Sequence, residues 1–363
     1  MTRMRVLEVS GSFYDMGYQH GKQYNDAIHM FTEDRIQLCG DPNWSGREMT
    51  HDEVIALAES TVESHRAYSP ELMQELEGMA DATGLSVAEL IINNGFTDFV
   101  DTIFALGGEP ITLPPPLAID DCTAFLVPNH LSENNYGMAG QTWDMHDSAT
   151  PHVMLLRGKP TNAPNFLIFT IAGCLGMIGM NEHGISVGIN NLVGSDGQAG
   201  VTWIFVIRKM LMQDNIDDAL ACITEANLAG AHNYYVMDKH GNGYNVEAMS
   251  TTYHITPLED NPIVHTNHCL VPNTRDVERE RSIEGMEQSI ARLKQGYALL
   301  EKDTITPNDL MALTADKEAI CRESDPIWHS ETCGAVVMRP ATLDMWACWG
   351  RPDLHPYEHF KVS

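Results

Sequence analysis

The sequence predicts an α+β protein whose α-rich first third gives way to a β-rich remainder. Three observations carry this. Residues 52–94 show amphipathic helical periodicity with recognisable caps; Leu113-Pro114-Pro115-Pro116-Leu117 is a proline run that neither helix nor central strand accommodates; and from Cys122 onward short apolar runs alternate between Asn, Gly and Pro turns.

Taken in order, Ser10-Gly11-Ser12 reads as a turn into a helix in which Gly17 and Gly21, four residues apart, share a face and admit a close neighbour. Helical pattern covers 52–69 and 69–94, with Ser69 as N-cap and Pro70 in the first turn behind it. Leu72, Met73, Leu76 and Met79 with Ala80 make the apolar stripe of that helix, Gly84 ends it, and Ser86 caps a further helix through Ile92. Strands are expected at 122–127, 137–144, 153–156, 165–172 and 177–191, the last interrupted by a turn at Asn181-Glu182-His183-Gly184. A helix at 203–226, a hairpin at 233–249 around Asp238–Gly243, a strand at 263–268, helices at 277–300 and 307–315 and strands at 334–338 and 344–348 complete the chain.

The 363 residues are 43% hydrophobic, enough for a substantial core. With 22 Lys+Arg against 50 Asp+Glu the net charge is −28, which repels phosphate backbones and anionic membranes and draws in cations. Nucleic acid and membrane are therefore not expected partners. No segment reaches 18 uncharged apolar residues and no secretory pattern opens the chain, so a soluble, cytoplasmic protein is expected. The eight cysteines form no C-x-x-C pair, which signals neither a disulfide framework nor a zinc site.

Two tempting motifs are set aside. Gly184-Ile185-Ser186-Val187-Gly188 spells the serine-hydrolase string, but that elbow needs a strand, a sharp turn and a helix, whereas Ser186 lies inside an alternating strand. His265-Thr266-Asn267-His268 has two histidines three apart, which a strand turns to opposite faces, so no metal is expected and Asn267 draws the interest. The apolar Phe166, Leu167, Ile168 and Phe169 are read as core, and no substrate-binding residue is assigned.

Cys122 sits where the texture changes. It is either a buried thiol opening a strand or a residue that becomes an amino terminus when the chain cuts itself between Asp121 and Cys122. A free α-amino group has a pKa near ~8 and can take the proton of a thiol near ~8.5, so one residue would supply both nucleophile and base. Antiparallel pairing of the first two strands after Cys122 brings Asp144, at the end of Gly140-Gln141-Thr142-Trp143-Asp144, close to it, where its carboxylate either holds the α-amino group or caps the next turn.

With those strings in view, the chain resembles the N-terminal-nucleophile hydrolases of the acyl-coenzyme A:6-aminopenicillanic acid acyltransferase branch, and more distantly the choloylglycine hydrolases. The resemblance also rests on Gly17-Tyr18-Gln19-His20-Gly21 and Glu75-Leu76-Glu77-Gly78-Met79-Ala80, and it spans nearly the whole chain. It implies a four-layer αββα sandwich, self-cleavage before Cys122, and two pieces, 1–121 and 122–363, that stay associated as one folded unit. It further implies Cys122 as nucleophile, Asp144 as the carboxylate positioning its amino group, and Asn267 as an oxyanion donor. A second such asparagine falls at Asn190 or Asn191, depending on the branch used for counting. Gln141 stands where choloylglycine hydrolases carry arginine, which argues against a bile-salt substrate, and Arg281 and Arg292 compete as counterparts of a later arginine. No cofactor is implied. The expected substrate is a small N-acyl amine or N-acyl amino acid, β-alanyl amines included. Acyl-coenzyme-A-dependent transfer and a non-catalytic acyl-binding protein are the alternatives, and homo-oligomers are left open.

Overall fold

The structure, a computed structural model, describes residues 4–108, 122–326 and 329–363. In chain order it runs β1 (Val6–Gly11), α1 (Phe13–Gln23), α2 (Asn25–Gly40), α3 (Pro42–Ser45), α4 (His51–Tyr68), α5 (Pro70–Thr83), α6 (Val87–Asn93) and α7 (Phe96–Ala105). There follow β2 (Ala124–Val127), β3 (Met138–His146), β4 (Val153–Pro160), β5 (Phe166–Ile171), β6 (Ile178–Asn181), β7 (Ser186–Asn191), α8 (Trp203–Met210) and α9 (Ile216–Thr224). The remainder is β8 (His232–Met237), β9 (Gly243–Ala248), β10 (Tyr253–Pro257), β11 (Ile263–His265), α10 (Pro272–Arg275), α11 (Ile283–Leu299), α12 (Pro307–Thr314), β12 (Ser330–Arg339), β13 (Asp344–Trp349) and β14 (Tyr357–Lys361).

Among the described residues the strands form an eight-stranded sheet, β1-β4-β5-β6-β7-β8-β9-β10, and a six-stranded sheet, β11-β2-β3-β12-β13-β14. The sheets pack face to face. Gln141 of β3 accepts a hydrogen bond from the Ile189 N–H of β7 at 2.8 Å, Trp143 meets Phe169 of β5 edge-on, and His265 of β11 bonds Glu247 of β9 at 2.9 Å. Helices α1, α8 and α9 lie on the outer face of the larger sheet, and α11 and α12 cover the smaller one over Phe125, Val127, Val264 and Val337. Helix, sheet, sheet, helix is the αββα order expected.

Local chemistry explains the boundaries. Ser69 accepts from the Leu72 N–H with Pro70 in the first turn, Gly84 takes the left-handed conformation at φ 79°, and Ser86 and Glu89 close a capping box. A Cβ at Gly17 would overlap the Glu75 carbonyl and one at Gly78 the Tyr14 carbonyl, so α1 and α5 touch backbone to backbone, as the Gly17/Gly21 spacing predicts. A fully buried ion pair, Arg208 to Glu75 at 3.3 Å, ties α5 to α8, with the guanidinium 3.8 Å from the Phe166 ring centre.

The α-rich first third also contributes one strand, β1, which joins the larger sheet in parallel with β4. Three expectations are corrected. The helix expected at 203–226 is two helices, since Asn215 caps α9 by accepting from the Asp218 N–H. The strand expected through residue 268 stops at His265, where β11 runs out of partners on β2. The helix expected from 277 begins at Ile283, capped by Ser282. The proline run and Asp121 lie outside the described residues.

Candidate active site

Strand β2 opens two residues after Cys122, and its register on β3 pairs Ala124 with Gln141. One step back, the Thr142 N–H donates to the Thr123 carbonyl at 3.0 Å while the Thr123 N–H donates to the Thr142 hydroxyl at 3.1 Å. Continuing the count sets Cys122 opposite Trp143, so the cysteine sits at the sheet's end and is fully buried. Two side chains hold its main chain. Its N–H donates to Asn267 Oδ1 at 2.8 Å, and its carbonyl accepts from Arg292 at 2.6 Å.

Asn267 follows β11 in a tight polar turn. Its Oδ1 also accepts from Arg292 Nη2 at 3.0 Å, and its Nδ2 donates to the Asn191 carbonyl at 2.9 Å. Two donors face the oxygen and a carbonyl faces the nitrogen, which fixes the amide's orientation. The turn is held from α11 by Ser289, whose hydroxyl accepts from the Asn267 N–H at 3.0 Å and lies 2.7 Å from His268 Nδ1.

The two histidines face different partners, His265 bonding Glu247 and His268 the Ser289 hydroxyl. Burial, followed by the charges of His265, Arg281 and Arg292, brings His268 down to about 4. It is neutral near neutral pH. Among the described residues no group of three His, Cys, Asp or Glu could hold a metal.

Asp144 is buried in β3, one residue beyond the position opposite Cys122. Its charge adds to burial in holding the Cys321 and Cys333 thiols up. Strand alternation separates the two asparagines. Gly188 faces the Tyr235 hydroxyl and Gln141 between the sheets, so Asn190 shares that face and Asn191 the other. Asn190 Oδ1 accepts from Asn233 at 3.0 Å, whereas Asn191 meets the site through its main-chain carbonyl. Ser186 donates its hydroxyl to the Met237 carbonyl, as befits a strand residue.

The two arginines also separate. Arg292, 4% exposed, reaches Cys122, Thr123 and Asn267, while Arg281 lies 3.6 Å from Glu278. A sequence signal existed for Arg292: the buried residues of α11 are Gly285, Ser289, Arg292 and Gly296. A helix that buries a stripe of small and polar residues in place of apolar ones is presenting hydrogen bonds to something.

Residues 131–354 match the family model described as acyl-coenzyme A:6-aminopenicillanic acid acyl-transferase. The chain belongs to that family. The matched stretch starts downstream of Cys122. Among relatives, the acyl-coenzyme A:6-aminopenicillanic-acid-acyltransferase 40 kDa form of Emericella nidulans is 22% identical over 270 residues, 74% of this chain and 70% of that protein. The β-alanyl-dopamine/carcinine hydrolase of Drosophila melanogaster is 25% identical over 269 residues, 67% of this chain and 64% of its own length. Among solved structures, a mutant of conjugated bile acid hydrolase from Clostridium perfringens superposes with a TM-score of 0.49 at 8% identity, covering 66% of this chain and 92% of that one. Penicillin V acylase from Agrobacterium tumefaciens gives 0.37 at 12% identity, over 63% of this chain and 83% of its own.

Proposed function

We propose that this protein is a self-processing amidohydrolase in which Cys122, once it is an amino terminus, cleaves a small N-acyl amine or N-acyl amino acid. The observation that carries the reading is that both main-chain groups of Cys122 are gripped by buried polar side chains, Asn267 and Arg292, in place of a neighbouring strand. A merely structural thiol has no need of such a grip.

In processing, the Cys122 sulfur attacks the carbonyl of Asp121, the C–N bond breaks as the nitrogen takes up a proton, and water hydrolyses the thioester to free the α-amine. The pieces 1–121 and 122–363 then stay together, since β1 is hydrogen-bonded within the larger sheet. In turnover the α-amine takes the thiol proton, the thiolate adds to the substrate carbonyl, the amine leaves with a proton, and water releases the acid. Asp144 steadies the α-ammonium, and Asn267 and Asn190 are the side chains assigned to donate to the carbonyl oxygen in this reading.

Trp143 lines a hollow with Phe31, Phe96, Met145 and Trp203, and Arg35 is the charged side chain in that lining. The hollow encloses only about 30 Å³, room for the tip of an apolar acyl group and no more. A β-alanyl group, with its ammonium, suits it less, because desolvating a cation beside a guanidinium is unfavourable. Water is the preferred acceptor over a second amine. Coenzyme A, with its phosphates, is a poor partner for a chain of net charge −28.

The test is amine release from a panel of N-acyl amino acids, N-acyl amines and β-alanyl amines, beside acyl-coenzyme A with a free amine. Wild-type protein should release amine from an apolar N-acyl compound and Cys122→Ala none. Equal release by both proteins would remove Cys122 from the chemistry, and thiol release from acyl-coenzyme A alone would make the protein a transferase.

A further inference from the structure

Between the two sheets lies a phenol that the scheme above leaves idle. Tyr235, on β8, is 1% exposed. Its hydroxyl lies over Gly188 of β7, where even a methyl group would overlap it, and beside the Gln141 amide of β3. Ala124, Asn245 and His265 pack closely around the same ring, with no void between them large enough for a water. Ala124 is two residues from Cys122, so by strand alternation both side chains look toward Tyr235.

Among the described residues the Tyr235 hydroxyl has no hydrogen-bond partner, and neither does Asn190 Nδ2 on the same inner face. Buried donors without partners are rare in folded proteins and destabilising, so such donors on one face mark a place where something else is meant to accept. Burial and then the Cys122 charge hold the phenol well above its ordinary range, which keeps it a donor at working pH. Asn267, meanwhile, has its oxygen committed to Cys122 and Arg292 and its nitrogen shared with Asn191.

We propose that the Tyr235 hydroxyl donates a hydrogen bond to the carbonyl oxygen of the acyl group as Cys122 attacks it, making Tyr235 a catalytic residue of this site. The inference rests on the reading of Cys122 as nucleophile. When sulfur adds to the carbonyl carbon, the π pair moves to oxygen and the phenol stabilises that charge without giving up its proton. Collapse restores the C=O bond and expels the amine, which takes its proton from the α-ammonium of Cys122.

The experiment compares two reactions of Cys122 in the full, processed protein. Acylation by p-nitrophenyl acetate passes through an oxyanion; alkylation by iodoacetamide, a substitution at a saturated carbon, does not. Tyr235→Phe should slow acylation by about 10²–10³-fold, the loss seen when one oxyanion donor is removed, and leave alkylation and melting temperature unchanged. Gly188→Ala, whose methyl group crowds both the hydroxyl and Gln141 Oε1, should likewise slow acylation more than alkylation. Equal acylation of wild type and Tyr235→Phe, or equal slowing of both reactions, overturns the proposal while leaving Cys122 as nucleophile. A wild type that is alkylated at Cys122 yet never acylated overturns that reading and this one together.

Discussion

Arg292 ties the main chain of Cys122 to the turn that carries Asn267. Its guanidinium donates at once to the Cys122 carbonyl and to Asn267 Oδ1, so the fork sets the distance between the cysteine and the turn that grips it. Lysine keeps the charge but cannot span two acceptors in fixed geometry. Arg292→Lys should therefore lose about 1–3 kcal/mol of stability from the unmet acceptor, read by chemical denaturation, and process more slowly at the Asp121–Cys122 bond. Full stability and wild-type processing would show that the fork is dispensable. Cys122, Asp144 and Asn267 stood out as candidates from short strings because each lies in or beside a strand whose pattern is local. Arg292 was only one of two candidates, because its partners sit 170 and 25 residues away and the choice between it and Arg281 depends on helix phase. Asn190 and Asn191 are neighbours in one strand, so the sequence could not separate them; the contacts of Gly188 show only which face of the sheet each side chain takes.

Helices α1 and α5 owe their approach to glycines. Gly17 meets the Glu75 carbonyl with no room for a methyl group, and the contact sits beside the buried Glu75–Arg208 pair. Gly17→Ala should cost about 1–3 kcal/mol, the range for overpacking a closed contact, with a lower denaturation midpoint at unchanged slope. A midpoint equal to wild type would mean that the helices slide apart freely. Elements with strong local signals, such as the Ser69 and Ser86 caps and the hairpin at Asp238–Gly243, were readable. Strand β1 was not, because its six residues pair only with β4, nearly 150 positions later, and the turn signal at Ser10-Gly11 falls on its last two residues. Strands β10 and β14 escaped for a related reason: as sheet-edge strands rich in exposed and polar residues they lack clean alternation.

Across the whole molecule, the α7 segment is bound to the later chain by buried acids. Asp101 accepts from the Gly194 and Ala231 N–H groups, each at 3.0 Å, while Asp98 accepts from the Trp203 N–H at 3.1 Å. Burial, outweighing the attraction of Arg279 and those N–H groups, pushes Asp101 up to about 6. A raised carboxyl favours the folded state while protonated: the contribution is full below the unfolded value near 4 and is lost as pH climbs through about 6. Wild-type stability should thus carry a downward component between about pH 4 and pH 7, worth at most about 3 kcal/mol. Asp101→Asn, which can still accept both N–H bonds, should flatten it. Parallel pH profiles for the two proteins would show that Asp101 titrates as it does in an unfolded chain.

The central claim, that Cys122 becomes an amino terminus, is tested most directly by intact mass on freshly purified protein beside Cys122→Ala. The account predicts two wild-type species, one ending at Asp121 and one beginning at Cys122 with a free α-amine, and a single uncut chain in the variant. A single uncut chain in both, from protein that nonetheless hydrolyses an N-acyl amine, would contradict it and leave the chemistry to a nucleophile that is not an amino terminus.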